Sequence, residues 1–196
     1  MDSKYILTEF LELTNDLSLL TEQERRSVES GQEVILAGVM QRADAENGNG
    51  RVYPIEILER EVENYKKVVR DSRSVGELDH PDNPVVELKN ASHIVTHIEM
   101  RGRDVIGKIK ILDTPAGKIA KDLIRGGVKL GISSRGLGST KQQSGKTMVQ
   151  DDFQLVCFDL VSEPSTTGAF MMKEANERNI FTKADRINRL LNDIIR

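Results

Sequence analysis

The sequence contains one cysteine and no tryptophan, and aromatic residues make up only 4% of it. A single thiol, Cys157, excludes an internal disulfide and predicts a reducing compartment. The shortage of rings argues against a base-stacking platform for single-stranded nucleic acid. An excess of one charge is missing too: 28 basic side chains stand against 31 acidic ones. That balance supplies no field to attract nucleic acid or an anionic membrane. No apolar run approaches the ~20 residues of a bilayer span. The N-terminus lacks the basic-then-apolar pattern of a secretion signal. These absences predict a soluble intracellular protein of 196 residues with one substantial core.

What is present alternates between helical and extended patterns. Residues 3–29 carry Ile6, Phe10 and Leu11, then Leu17, Leu19 and Leu20, at helical spacing, and predict two short helices. "EVILAGVMQRAD" reads as a strand, "ENGNGRVYP" as a turn, and Pro54 as the start of an amphipathic helix. That helix carries Ile57, Leu58, Val62, Tyr65, Val68 and Val69 on one face. "SVGELDHPDNPVVELKNA" reads as a loop around Pro81 and Pro84. "SHIVTHIEMRG" and "RDVIGKIKIL" predict a hairpin turning at Gly102, with His93, Val95 and His97 on one side. Thr114 caps a helix that Gly126 and Gly127 end. "VKLGISSRG" predicts a short strand running into a glycine-rich turn, "STKQQSGKT" a polar loop, and "DDFQLVCFDLVSEPS" an apolar strand. Ile187, Leu190, Leu191, Ile194 and Ile195 give the tail a helical stripe whose apolar face needs a cover, which suggests a homo-oligomer. Strands that can pair with their neighbours favour an α+β fold over a doubly wound sheet.

Three chemistries compete for these residues. Phosphate binding by a P-loop needs a lysine where "GGVKLGIS" places Ile132. A metal site on His93 and His97 fails if the segment is a strand, because the two side chains then stand about 13 Å apart. Nucleophilic catalysis has more support. Ser133 or Ser134 sits between Gly131 and Gly136, where backbone can approach a substrate. The amides of Arg135 and Gly136 lie next to the serine pair and are candidate oxyanion donors. His80 lies on a proline-framed loop, and Asp159 is a carboxylate within the apolar run "LVCFDLV", where it needs a partner. Each alone has a plainer reading: a turn serine, a loop histidine, a strand aspartate bonded to amides.

Taken together, "NGRVYP", "GELDHP", "RDVIGKIKIL", "GISSRGLGS" and "DLVSEPS" resemble, in order and spacing, the prohead maturation proteases of tailed bacteriophages. The resemblance covers roughly residues 33–170 and is similar to the branch found in large myovirus-type phages. It implies an α+β fold like that of the herpesvirus capsid proteases, a mainly antiparallel β-barrel surrounded by helices. By that resemblance, His80 is the general base, Ser133 the nucleophile, and the Arg135 and Gly136 amides the oxyanion hole. Ser134 then supports the turn through local backbone bonds. Asp159 matches the acid of phage relatives, Asp79 is a weaker alternative, and His93 or His97 would be the herpesvirus-like choice.

The resemblance further implies a serine endopeptidase without metal or cofactor, acting inside the assembling prohead in the host cytoplasm. Its partners would be scaffold and major capsid proteins, with neither nucleic acid nor membrane bound directly. Cleavage after glutamate is expected, and "LTE" occurs at Leu7–Glu9 and Leu20–Glu22. The expected division is a removable helical segment over 1–30, a protease domain over 31–172 and a helical tail over 173–196. The alternative is a non-catalytic, scaffold-binding assembly protein on the same fold.

Overall fold

A computed structural model describes residues 5–11, 16–81 and 83–162. In chain order these form β1 (Tyr5–Leu11), α1 (Glu22–Glu29), β2 (Ile35–Arg42), β3 (Arg51–Val52), α2 (Ile55–Arg70), β4 (Val75–Glu77) and β5 (Ala91–Arg101). After them come β6 (Asp104–Ile111), α3 (Pro115–Arg125), β7 (Gly131–Gly138), β8 (Thr140–Gln143), β9 (Lys146–Val149) and β10 (Gln154–Val161). Three sheets result, with strand orders β1-β7-β10, β2-β6-β5-β4 and β3-β9-β8. All ladders are antiparallel except β3–β9. The mixed α+β class stands, but the expected closed barrel does not form among the described residues. Three-residue β4 forms no ladder with β10: just after it the backbones meet at a single Leu78–Leu160 bridge and the Asp79 N–H bond to the Leu160 carbonyl. A contact that short leaves the sheets open.

Helix α2 buries Ile57, Leu58, Val62 and Tyr65, the stripe expected from the sequence, together with Glu61. They join Val95, Ile98, Val105, Ile109, Phe153 and Phe158 in one apolar core. At about 25 cal/mol per Å² of apolar surface, this burial is the main driving force for the layers to pack. Helix α3 is capped as its sequence predicts, with Thr114 Oγ1 accepting from the Gly117 amide.

Several segments differ from their sequence patterns, among them the expected loop over 74–91, which opens with strand β4. Residues 5–11 form a strand rather than a helix, because they add to the β7 edge from Tyr5–Gly138 to Leu11–Ile132. Tyr, Ile, Thr and Phe fit a pleated surface, and this tertiary partner overrides a short helical spacing. "STKQQSGKT" is a hairpin, β8–β9, turning at Ser144 and Gly145, both with positive φ. β5 carries a bulge between Val95 and His97, which resets the alternation, so that His93 and Val95 point inward and Ile98 follows. The glycine-rich serine motif lies within β7 and not at a turn. A Cβ on Gly136 would stand 2.4 Å from the Phe153 ring, so this glycine serves close packing. The helical tail expected over 173–196 lies outside the described residues.

Candidate active site

Strand β7 is the centre of its sheet, so every second side chain points to the same face. Ser133 and Arg135 share one face; Ser134 takes the other. Opposite Ser133 on β10 stands Asp159, its register partner. His80 arrives from the loop after β4, which is held on β10 by the Asp79 amide. Asp79 there has φ of 66°, a left-handed conformation that Asp tolerates better than most residues. The loop turns sharply enough to direct the imidazole back onto β7.

The three side chains form a chain of hydrogen bonds. Ser133 Oγ lies 2.5 Å from His80 Nε2, and His80 Nδ1 lies 2.9 Å from Asp159 Oδ2. With the proton on Nδ1, His80 donates to Asp159 and leaves Nε2 to accept from the serine, as a general base requires. Ser133 is 2% exposed, while a quarter of the His80 side chain is open to solvent.

Asp159 is fully buried, and its oxygens are satisfied from several sides. Oδ1 accepts from the Glu77 amide at 3.0 Å and from Arg135 Nη2 at 3.2 Å, with Cys157 Sγ at 3.4 Å. Arg135 Nε lies 2.9 Å from Oδ2. Burial alone would raise the Asp159 carboxyl. The His80 bond, the Arg135 charge and the Glu77 amide outweigh it and hold the carboxyl below its ordinary value. Burial also works against the charge on Arg135, but its acidic neighbours, Asp159 and Glu77 among them, keep the guanidinium protonated. The Cys157 thiol is pushed up, first by burial and then by Asp159, and stays protonated.

The other candidates fall elsewhere. Ser134 Oγ is buried and meets no hydrogen-bond partner among the described residues, so the local backbone bond expected of it does not form. Alternation along the strand turns it away from His80. His93 is not a surface residue: it is fully buried, with Nε2 3.0 Å from the Phe158 carbonyl and Nδ1 2.9 Å from Ser92 Oγ. Burial lowers its pKa to about 4. His97 is half-buried and lies 3.6 Å from Glu99. Asp79 contacts β10 through its amide, and it is Asp159 that faces Nδ1 of His80. Among the described residues no three His, Cys, Asp or Glu side chains are grouped to hold a metal ion.

The Arg135 and Gly136 amides are not brought together. Both residues are paired on the β1 side, with Thr8 and Leu7, and on the β10 side, with Cys157 and Leu155. Successive amides of an extended strand point to opposite edges, so these two cannot converge on one oxyanion in this arrangement. It is the Arg135 side chain, not its amide, that joins the site. Two members were missed in the sequence, Glu77 and the Arg135 guanidinium. The available signal was a period of two: an arginine two residues after Ser133 in a strand faces the same way.

Known proteins resemble this chain in sequence and in fold. The prohead core protease of Enterobacteria phage T4 is 36% identical over 149 residues, which cover 72% of this chain and 70% of that protein. The solved structure of the bacteriophage T4 capsid assembly protease matches with a TM-score of 0.69 at 24% sequence identity. That match covers 83% of this chain and 100% of the other, and it supports the fold. Residues 4–180 match the family model described as prohead core protein serine protease. This chain therefore belongs to the prohead core protein serine protease family.

Proposed function

We propose that the protein is a serine endopeptidase that cleaves scaffold and capsid proteins inside the phage prohead. The observation that carries this reading is the continuous hydrogen-bonded series from Ser133 through His80 to Asp159. Ser133 attacks the scissile carbonyl, and His80 takes its proton and later returns it to the leaving amine. Asp159 holds the imidazole in the right tautomer and balances its charge. The family and its T4 relative supply the setting of capsid assembly.

Cleavage after glutamate, including self-cleavage after Glu9 or Glu22, belongs to the same proposal, as does the division into segments 1–30, 31–172 and 173–196. Self-cleavage requires both sites to unfold locally. Glu9 lies in β1 opposite Ser134, with its backbone in the plane of the sheet, while the Ser133 hydroxyl stands out of that plane. Glu22 opens α1 within the Thr21–Glu24 capping box. A homo-oligomer is also proposed.

The test is co-expression with the scaffold and capsid proteins of its phage, scored by cleavage of each. Ser133→Ala and His80→Ala abolish cleavage, with a loss on the order of 10⁴- to 10⁶-fold. Ser134→Ala retains it. Full cleavage by Ser133→Ala would rule out Ser133 as the nucleophile, and absence of cleavage with the wild-type protein would leave a non-catalytic assembly protein. N-terminal sequencing of the matured protein reads the self-cleavage sites; an uncut Met1 terminus counts against them.

A further inference from the structure

Arg135, Glu77 and Asp159 are all fully buried, yet the triad chemistry uses only the last. The guanidinium reaches three elements at once. Its Nη2 donates to Glu77 Oε2 on β4 and to Asp159 Oδ1 on β10, and its Nη1 donates to the Asn83 carbonyl at 2.5 Å. Asn83 belongs to the loop that carries His80. Glu77 also returns to that loop, accepting from the Glu87 amide at 3.0 Å. One planar fork thus fixes the carboxylate that orients the imidazole and the loop that delivers it.

We propose that Arg135 and Glu77 are a positioning pair for the triad, the first fixing Asp159 and the His80 loop, the second restoring the negative charge that Arg135 would otherwise cancel. This rests on the reading of Ser133, His80 and Asp159 as catalytic. The charge count gives the reason for two carboxylates. Arg135 with Asp159 alone is a neutral pair, which offers a forming imidazolium little stabilisation. With Glu77 added, Arg135, Asp159 and Glu77 together carry one net negative charge, which balances the imidazolium formed when His80 takes the Ser133 proton, while the matching negative charge passes to the oxygen of the tetrahedral intermediate. Each buried ion also gains the partner without which it would be costly.

The other titratable groups around Asp159 are Cys157 on β10, Tyr65 on α2 and His93 on β5. Burial keeps all three neutral near pH 7: it raises the Tyr65 hydroxyl and the Cys157 thiol and lowers His93. Asp79, adjacent to His80, is present in every variant below. The charges that differ between variants are therefore those of Glu77 and Arg135.

The experiment labels full-length protein, free and in isolated proheads, with a small fluorophosphonate across pH 5–9. Labelling rates are read by intact mass, and melting temperatures report folding. Ser133→Ala defines the background. Glu77→Gln should move the acidic limb of the rate profile down by about one pH unit and lower the plateau roughly tenfold. Arg135→Lys keeps the charge and so keeps the limb, but loses the fork and falls about 10²-fold. The double variant Glu77→Gln/Arg135→Met removes one positive and one negative charge together and leaves Asp159 its bonds to His80 and the Glu77 amide. It returns the limb to its wild-type position while the rate stays about 10²-fold low. If the single variants melt below the assay temperature, the double variant decides by its rate. Folded variants that label at the wild-type rate with the wild-type limb overturn the positioning role. Wild-type protein unlabelled at Ser133 in both states overturns the triad beneath it, a separate result.

Discussion

Where α2 lies against the sheet β2-β6-β5-β4, the interior is Leu58, Val62, Val95, Ile98 and Ile109. Where β7 and β10 meet β4, the side chains without exposure include Glu77, His93, Arg135 and Asp159. Both regions are equally dry, and they respond differently to damage. An apolar interior loses stability in proportion to the volume removed and leaves its neighbours otherwise satisfied. In an ionic interior each group exists only because of its partners, and removal of one leaves another buried and unpaired. The proposed triad lies in the second kind of interior. There geometry is fixed by direction and charge as well as by shape.

The comparison breaks most visibly at Asp159. Asp159→Asn keeps the shape of the side chain but loses the acceptor that fixes the His80 tautomer. Scaffold cleavage should fall by about 10⁴-fold, equivalent to roughly 5.5 kcal/mol of barrier. A folded variant with an unchanged cleavage rate would move the orienting role elsewhere. In the apolar region, Leu58→Ala should reduce stability by about 2–5 kcal/mol in urea unfolding. Its cleavage rate per folded molecule should stay at the wild-type value. A large loss of that rate would show that the two regions are not separable.

His93 sharpens the comparison through pH. Its pKa in the fold is lowered by burial to about 4, from an ordinary 6.5. Between those values the unfolded chain takes up a proton that the folded chain refuses, so acidification favours unfolding. The stability contributed by neutral His93 is complete above pH 6.5 and falls by about 3 kcal/mol as pH drops toward 4. Asp159, with its lowered carboxyl, adds its own loss only at lower pH still. His93→Gln should flatten the slope between pH 6.5 and 4 and leave the loss below it. Urea midpoints across that range measure both parts.

The same contrast explains what could be read in advance. The α2 stripe, the β5–β6 hairpin and the Thr114 cap are local patterns, and each was legible from spacing alone. His80, Ser133 and Asp159 were legible as residue types, and resemblance joined them. Glu77 was not, because an ion pair across 58 positions leaves no periodic trace, and Arg135 offered only its same-face spacing from Ser133. Residues 5–11 were misread for a related reason: their partner β7 lies more than a hundred residues away. The bulge in β5 hid the inward orientation of His93, since a strand's phase cannot be read through an unmarked insertion.

The smallest effect belongs to a region that touches neither interior strongly. Helix α1 has no buried residue, and its start rests on Thr21 and Glu24, which exchange bonds in a capping box. Thr21→Ala removes the acceptor for the Glu24 amide while the Glu24–Lys108 ion pair at 2.9 Å remains. Loss of such a cap costs typically about 1 kcal/mol. Urea unfolding should show that decrease, with fluorophosphonate labelling of Ser133 unchanged. If labelling falls along with stability, α1 is coupled to the ionic interior, and the boundary between the two regions lies elsewhere than drawn.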